Sequence, residues 1–166
     1  MFFLKLITMA IVQGLTEFLP VSSSGHLVLL HHWMGALQGD LFFDIVLHIG
    51  TLGAVVVVYR NELLRLFKFD RKALDYIAAL VVGTIPAVII GLLLKDFIEG
   101  LFGSPKAAGY ALVFTGLVLL STKKAIIGNK LDSDELSSPG LLKALIIGCA
   151  QAVAITPGVS RSGMTI

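Results

Sequence analysis

Charge is scarce in this chain. Asp, Glu, Lys and Arg make up 14% of its 166 residues against 56% apolar residues, with a mean hydropathy of +0.91, so too few polar groups exist to clothe a soluble domain. The chain belongs in a bilayer. The formal net charge of +2, carried by scattered cations, excludes a nucleic-acid partner. Cysteine is nearly absent: the single Cys149 rules out an internal disulfide, and its apolar neighbours predict a buried structural thiol rather than a reactive one. The N-terminal segment has no small-residue cleavage site before its first polar motif. It therefore reads as a first membrane element and not as a removable signal peptide.

Against this apolar background, residues 13–26 (QGLTEFLPVSSSGH) gather a carboxylate, three serines and a histidine. The stretch has an echo 138 positions later, where QAVAITPGVSRSG repeats the glutamine (Gln13/Gln151), Val21/Val159, Ser22/Ser160, Ser24/Ser162 and Gly25/Gly163. Arg161 stands where the first copy has Ser23. Both copies follow short apolar segments. Residues 4–19 would reach about 24 Å as a helix, short of a hydrocarbon core of about 30 Å, before Pro20 and the serines stop them. Residues 24–37 resume after a serine N-cap, and residues 141–156 run into Pro157 and Gly158. Short helices broken by Pro, Gly and Ser predict re-entrant hairpins, whose irregular tips must be buried in protein or line a wet cavity.

Between the copies, residues 41–59, 76–94 and 107–122 read as three full spans. Arg60, Arg65, Lys68, Arg71 and Lys72 mark the loop after the first as cytoplasmic, and Lys123, Lys124, Lys130 and Lys143 mark the segment after the third in the same way. The loop around Lys95, Asp96, Glu99 and Lys106 has no net charge and reads as external, and Pro86 should kink the middle span. Three crossings bring the second copy in from the opposite face, the arithmetic of an inverted-topology repeat. The expected architecture is an all-α, multi-pass membrane bundle forming one domain over 1–166. Residues 1–125 form the first repeat, 126–140 a cytoplasmic linker, and 141–166 the start of an incomplete second repeat.

Several residues could carry chemistry. Glu17 lies in an apolar helix, where an unpaired charge is expensive; it either acts on a ligand, stays protonated, or pairs with Arg161 as structure. Gln13 shares its helix face at i−4 and could converge on the same ligand. His26 could serve as base, acid or nucleophile, whereas His31 and His32, beside Trp33, read as headgroup-level residues without a role. Asp44 and His48 share a face at a spacing that suits metal ligands, although a buried hydrogen-bonded pair or a helix N-terminal charge explains them better. Arg161, in a Pro-Gly break, needs an anionic partner, and its planar fork suits phosphate. Ser160, Ser162, Thr165 and the amides of Gly158 and Gly163 could complete an oxyanion nest. Together the two tips hold a nucleophile, a base and an electrostatic clamp, the needs of phosphoester hydrolysis.

QGLTEFLPVSSSGH and PGVSRSGMT resemble the two signature regions of the undecaprenyl-diphosphate phosphatase (bacitracin-resistance) family. The resemblance covers residues 1–166, including FDIVLHIGTLGAVVVVYR and GTIPAVIIGLLL. Its (E/Q)xxxE element falls on Gln13 and Glu17, and its serine and histidine on Ser23 and His26. Its PGxSRSxxT element falls on Pro157, Gly158, Ser160, Arg161, Ser162 and Thr165. The resemblance implies removal of the terminal phosphate from a C55 isoprenyl diphosphate at the outer face of the bacterial inner membrane. That reaction recycles the cell-wall lipid carrier and confers bacitracin resistance. A divalent cation, Mg or Ca, would assist, with Glu17 as its carboxylate. Within that frame Ser23 is the expected nucleophile, Glu17 and His26 the base and acid, and Arg161 the diphosphate clamp. Gln13, Ser22, Ser160, Ser162 and Thr165 would bind substrate. Ser22, His26 or an activated water could attack instead.

Members of that family continue past the second signature, so the sequence predicts a fragment, a truncated product, or assembly with another chain, a homo-oligomer included. The main alternative from another class is a transporter or lipid flippase, since inverted repeats with broken helices also signal alternating access. The acid-phosphatase-like lipid phosphatases share Ser24-Gly25-His26 and Ser160-Arg161, but their upstream Lys-Arg motif and late His-Asp pair are missing. A purely structural subunit would have no reason to put Glu17 and Arg161 in matched breaks.

Overall fold

The computed structural model describes residues 2–35, 41–68, 70–128 and 139–165. Most of the expected linker at 126–140 lies outside the described residues. Among them every regular element is an α-helix. Helix α1 (Phe2–Thr16) is 15 residues long, about 22 Å, and stops short of a full crossing. A turn over 17–21 leads into α2 (Ser23–Met34), which ends on Gly35 in the left-handed conformation (φ 56°). The Lys5 ammonium donates to the Met34 carbonyl, tying the start of α1 to the end of α2. The two helices thus form a hairpin with its polar turn at the far end.

Helix α3 (Leu41–Val58) bends by 78° into the short α4 (Arg60–Leu66). The expected basic loop is therefore helical in part; Arg60 and Arg65 keep their exposure because charge decides which side meets water and leaves backbone conformation open. Helix α5 (Arg71–Leu93) begins at Asp70, whose carboxylate accepts the Ala73 amide at 2.8 Å. It continues through Pro86. Helix α6 (Lys95–Phe102) occupies the expected external loop, and Pro105 opens α7 (Pro105–Gly128) at the position where a missing amide costs nothing. Helix α8 (Leu141–Val153), a break over 154–160, and the short α9 (Arg161–Thr165) complete the chain.

Among the described residues two helices, Arg71–Leu93 and Pro105–Thr122, are long and apolar enough to cross a membrane, and a third span results if the bent α3–α4 pair counts as one. The chain is an all-α membrane protein. Small residues predominate in its core: Ala73 and Ala79 on α5, Ala108 on α7, and Ala144, Gly148 and Ala152 on α8 are buried, with Met9, Leu27 and Val28 as larger buried side chains in the α1–α2 hairpin, while many bulky side chains such as Phe3, Ile7, Leu92 and Val113 face outward. That is the distribution expected where lipid, and not water, is the outer solvent and backbones must approach closely.

The most extensive helix contact joins α5 to α8. There a Cβ on Gly148 would stand 2.2 Å from the Gly83 carbonyl oxygen, and one on Gly83 would stand 3.1 Å from that of Ala144. This contact also corrects the expectation for Cys149. Since Ala144, Gly148 and Ala152 form the buried stripe at a spacing of four, the next residue turns about 100° away, and the thiol is exposed on the outer face of α8.

Gly148→Ala should force α5 and α8 apart and destabilise the fold by about 1–3 kcal/mol, lowering the thermal midpoint in detergent followed by circular dichroism. Gly53→Ala on α3, with nothing within 4 Å of the added methyl, should leave the midpoint unchanged or slightly higher. Equal behaviour of the two variants would contradict the close crossing.

Candidate active site at the two broken tips

The two breaks are built alike. The Ser22 hydroxyl accepts the Gly25 amide at 3.4 Å and the Ser160 hydroxyl accepts the Gly163 amide at 3.1 Å. In each copy the next serine but one lies beside the first, Ser22–Ser24 at 3.3 Å and Ser160–Ser162 at 3.1 Å. The first helical bond follows in each, His26 N to Ser22 O at 3.3 Å and Met164 N to Ser160 O at 3.0 Å. These pairs are the ones aligned by the 138-residue echo. Serine recurs because its short hydroxyl can reach back to an amide that a helix start leaves unpaired.

The tips touch each other. A Cβ on Gly25 would come within 2.7 Å of Gly158 Cα, and one on Gly163 would lie 3.5 Å from the Pro20 carbonyl oxygen. Under the echo Gly25 corresponds to Gly163 and Pro20 to Gly158, so the two contacts exchange with one another. Ser162 also donates to the Leu19 carbonyl at 3.4 Å. Helix α7 fixes the second tip through Thr115, a buried residue whose hydroxyl donates to Gly158 O at 2.8 Å and accepts Ser160 N at 3.2 Å. Sequence reasoning missed Thr115. Its one signal is a hydroxyl inside an apolar span, which does not reveal a partner 43 residues away.

Glu17 is the centre of the polar cluster. Its Oε2 accepts Gln13 Nε2 at 3.0 Å and the Ser23 hydroxyl in a short hydrogen bond, while Oε1 faces Arg161 at 3.9 Å. The Gln13 side chain is 1% exposed and its Oε1 has no partner. Arg161 is 64% exposed and sits beyond hydrogen-bond range of the carboxylate, so its guanidinium is free to turn toward a ligand. His48 also faces Glu17, with Nε2 3.9 Å from Oε2.

Not every expected site residue joins this cluster. His26 turns its Nδ1 onto the Ser22 carbonyl at 2.8 Å and lines neither of the two cavities bordered by Glu17. Thr165 bonds locally to the carbonyls of Arg161 and Ser162, at 3.2 and 3.1 Å. Ser22 and Ser160 are buried as helix caps, and both border the smaller cavity with Ser23, Ser24 and Ser162.

Two histidines depart from the sequence reading. His31 is buried, and its Nε2 meets the Asp44 carboxylate at 2.9 Å, linking α2 to the first turn of α3. The headgroup assignment fails because α2 packs that face inward; His32 and Trp33 are exposed. Asp44 thus pairs with His31, and His48 Nδ1 donates instead to the Asp44 backbone carbonyl at 2.7 Å. Helical spacing showed that Asp44 and His48 share a face but could not show that α2 reaches one and Glu17 the other.

The two cavities differ in character. Between the tips lies a polar space of about 40 Å³, room for one or two waters. Beside it opens a groove of about 660 Å³, polar at Glu17, Ser24, Asp44, His48 and Arg161, with an apolar wall of Ile45, Ile49, Leu52, Val55, Phe102 and Ile155. A carboxylate holding a serine hydroxyl, with an exposed guanidinium alongside, can activate an oxygen nucleophile next to an anion.

The chain is 43% identical over 164 residues to an undecaprenyl-diphosphatase of Rhodopirellula baltica, covering 98% of the chain and 61% of that protein. It is 42% identical over 158 residues to the undecaprenyl-diphosphatase of Carboxydothermus hydrogenoformans, covering 95% and 58%. It is 45% identical over 163 residues to undecaprenyl-diphosphatase 4 of Bacillus thuringiensis, covering 98% and 61%. The chain spans about three fifths of the length of these relatives. Residues 6–166 match the pattern of the family described as bacitracin resistance protein BacA, and the chain belongs to that family.

Proposed function

We propose that the protein hydrolyses undecaprenyl diphosphate to undecaprenyl phosphate and inorganic phosphate in the bacterial inner membrane, with the site open to the outer side. One observation carries the reading: the Ser23 hydroxyl is hydrogen-bonded to Glu17 at the polar end of an apolar groove, with Arg161 beside it. The names of the relatives supply the substrate class. The lipid tail would lie along the α3 face formed by Ile45, Ile49, Leu52 and Val55, leaving the diphosphate at Glu17 and Arg161. We also read the two tips as halves of an inverted repeat of re-entrant hairpins, supported by their matching caps and exchanging contacts.

In the first step Glu17 takes the Ser23 proton and the serine oxygen bonds to the terminal phosphorus. The bridging P–O bond breaks, and its electron pair leaves on the lipid phosphate. Gln13 holds Glu17 in place through Nε2. Arg161 leaves its loose contact with Glu17 to grip the diphosphate bidentately, with Ser162 and the buried caps Ser22 and Ser160 shaping the phosphate end and Thr165 fixing the start of α9. His26, the acid expected from the sequence, lies outside both cavities, and its Nδ1 on the Ser22 carbonyl holds the start of α2 beside Ser23. A divalent cation, Mg or Ca, would arrive on the diphosphate. Among the described residues no three His, Cys, Asp or Glu side chains gather, and Glu17 already accepts from Gln13 and Ser23 with the Arg161 cation alongside, which does not suit a resident ion.

Ser23→Ala should lower phosphate release from undecaprenyl diphosphate by at least roughly 10³-fold, and adding Glu17→Gln should cost little more, because the two groups act as one unit. A Ser23→Ala protein with near-normal turnover would exclude this nucleophile. Arg161→Lys keeps the charge but loses the fork, and should lower kcat/KM by about 10²-fold; a steady-state assay retaining wild-type values would remove Arg161 from the clamp.

A further inference from the structure

Resting on the hydrolase reading above, we propose that His48 is the base that activates water for the second half of the reaction, release of phosphate from Ser23. The Asp44 carbonyl can only accept, so the His48 Nδ1 that meets it at 2.7 Å carries a proton. In the neutral ring Nε2 then presents a lone pair. That lone pair faces Glu17 Oε2 across 3.9 Å, and Oε2 is itself an acceptor already holding Gln13 and Ser23. Two acceptors at that separation do not bond to each other. A water donating one proton to each, about 2.8 Å from both, subtends roughly 90° and fits between them. His48 is 36% exposed and borders the open groove, so water has access.

The position suits the second step because the water would rest between His48 and Glu17, which by then carries the Ser23 proton and lies beside the phosphorylated serine oxygen. The water oxygen bonds to phosphorus and its proton passes to His48 Nε2. The Ser23 Oγ–P bond breaks, and Ser23 recovers the proton that Glu17 took in the first step. Inorganic phosphate leaves, and His48 returns its proton to solvent through the groove. The other charged groups of the groove have separate duties: Asp44 is paired with His31, and Arg161 holds phosphate.

The test is a rapid-quench experiment on undecaprenyl diphosphate labelled in its terminal phosphate, comparing wild type with His48→Gln. The variant should form one equivalent of undecaprenyl phosphate per chain at the wild-type rate and retain the label. Free phosphate should then appear about 10²- to 10⁴-fold more slowly than in wild type. The first-turnover burst shows that the variant is folded. His48→Ala should recover phosphate release when imidazole is added. Wild-type phosphate release by His48→Gln, loss of both steps together, or no imidazole rescue would overturn the proposal. A wild-type protein that releases no phosphate would instead overturn the hydrolase reading, whatever the variants do.

Discussion

A carboxylate at the broken end of an apolar helix is the constraint on which the rest of the structure depends. An ionised Glu17 without partners would be costly in these surroundings, and the chain meets that cost with two hydrogen-bond donors and a nearby cation. Gln13 comes from the helix that Glu17 follows, Ser23 from the far side of the break, and Arg161 from the second tip. Satisfying Glu17 therefore folds the first tip back onto α1 and brings the second tip beside it. The same contacts that make the charge tolerable hold a serine hydroxyl against a carboxylate and leave an exposed guanidinium beside them.

The meeting of the tips is a packing problem solved with backbone. Gly25 lies against Gly158, and Pro20 against Gly163, with no room for side chains at the first contact. Gly158 has φ 98°, a conformation that favours glycine, and its carbonyl is held by Thr115. Helices α2 and α7 are thereby locked to the second tip, while α5 and α8 close on each other at Gly83 and Gly148. Ser22 adopts φ 62° without being glycine. That strain sits beside Ser23 and is sustained because the Ser22 hydroxyl and carbonyl are both engaged, by Gly25 and by His26.

Much of this was legible in the sequence. The spans at α5 and α7 followed from hydropathy and length, the breaks from Pro, Gly and Ser, and the Gln13–Glu17 contact from i, i+4 spacing. The echo anticipated the paired serine caps. Contacts between distant elements were not legible. Nothing in spacing indicates that His31 reaches Asp44, that His48 faces Glu17, or that Thr115 grips Gly158, because each depends on how α2, α3 and α7 pack. Charge patterns located the polar ends of helices but missed that 60–66 and 95–102 are themselves helical. Cys149 was misjudged because an apolar neighbourhood implies burial in water-soluble proteins, whereas here the outward face is apolar too.

The central claim is that Ser23, activated by Glu17, bonds to the terminal phosphorus. Quenching wild-type protein during turnover of substrate labelled in that phosphate, then mapping the label by fragmentation mass spectrometry, tests it most directly. The expected result is an acid-stable phosphoserine at Ser23. Label on His26 or Ser22, or turnover with no label on the chain at any time, would contradict it.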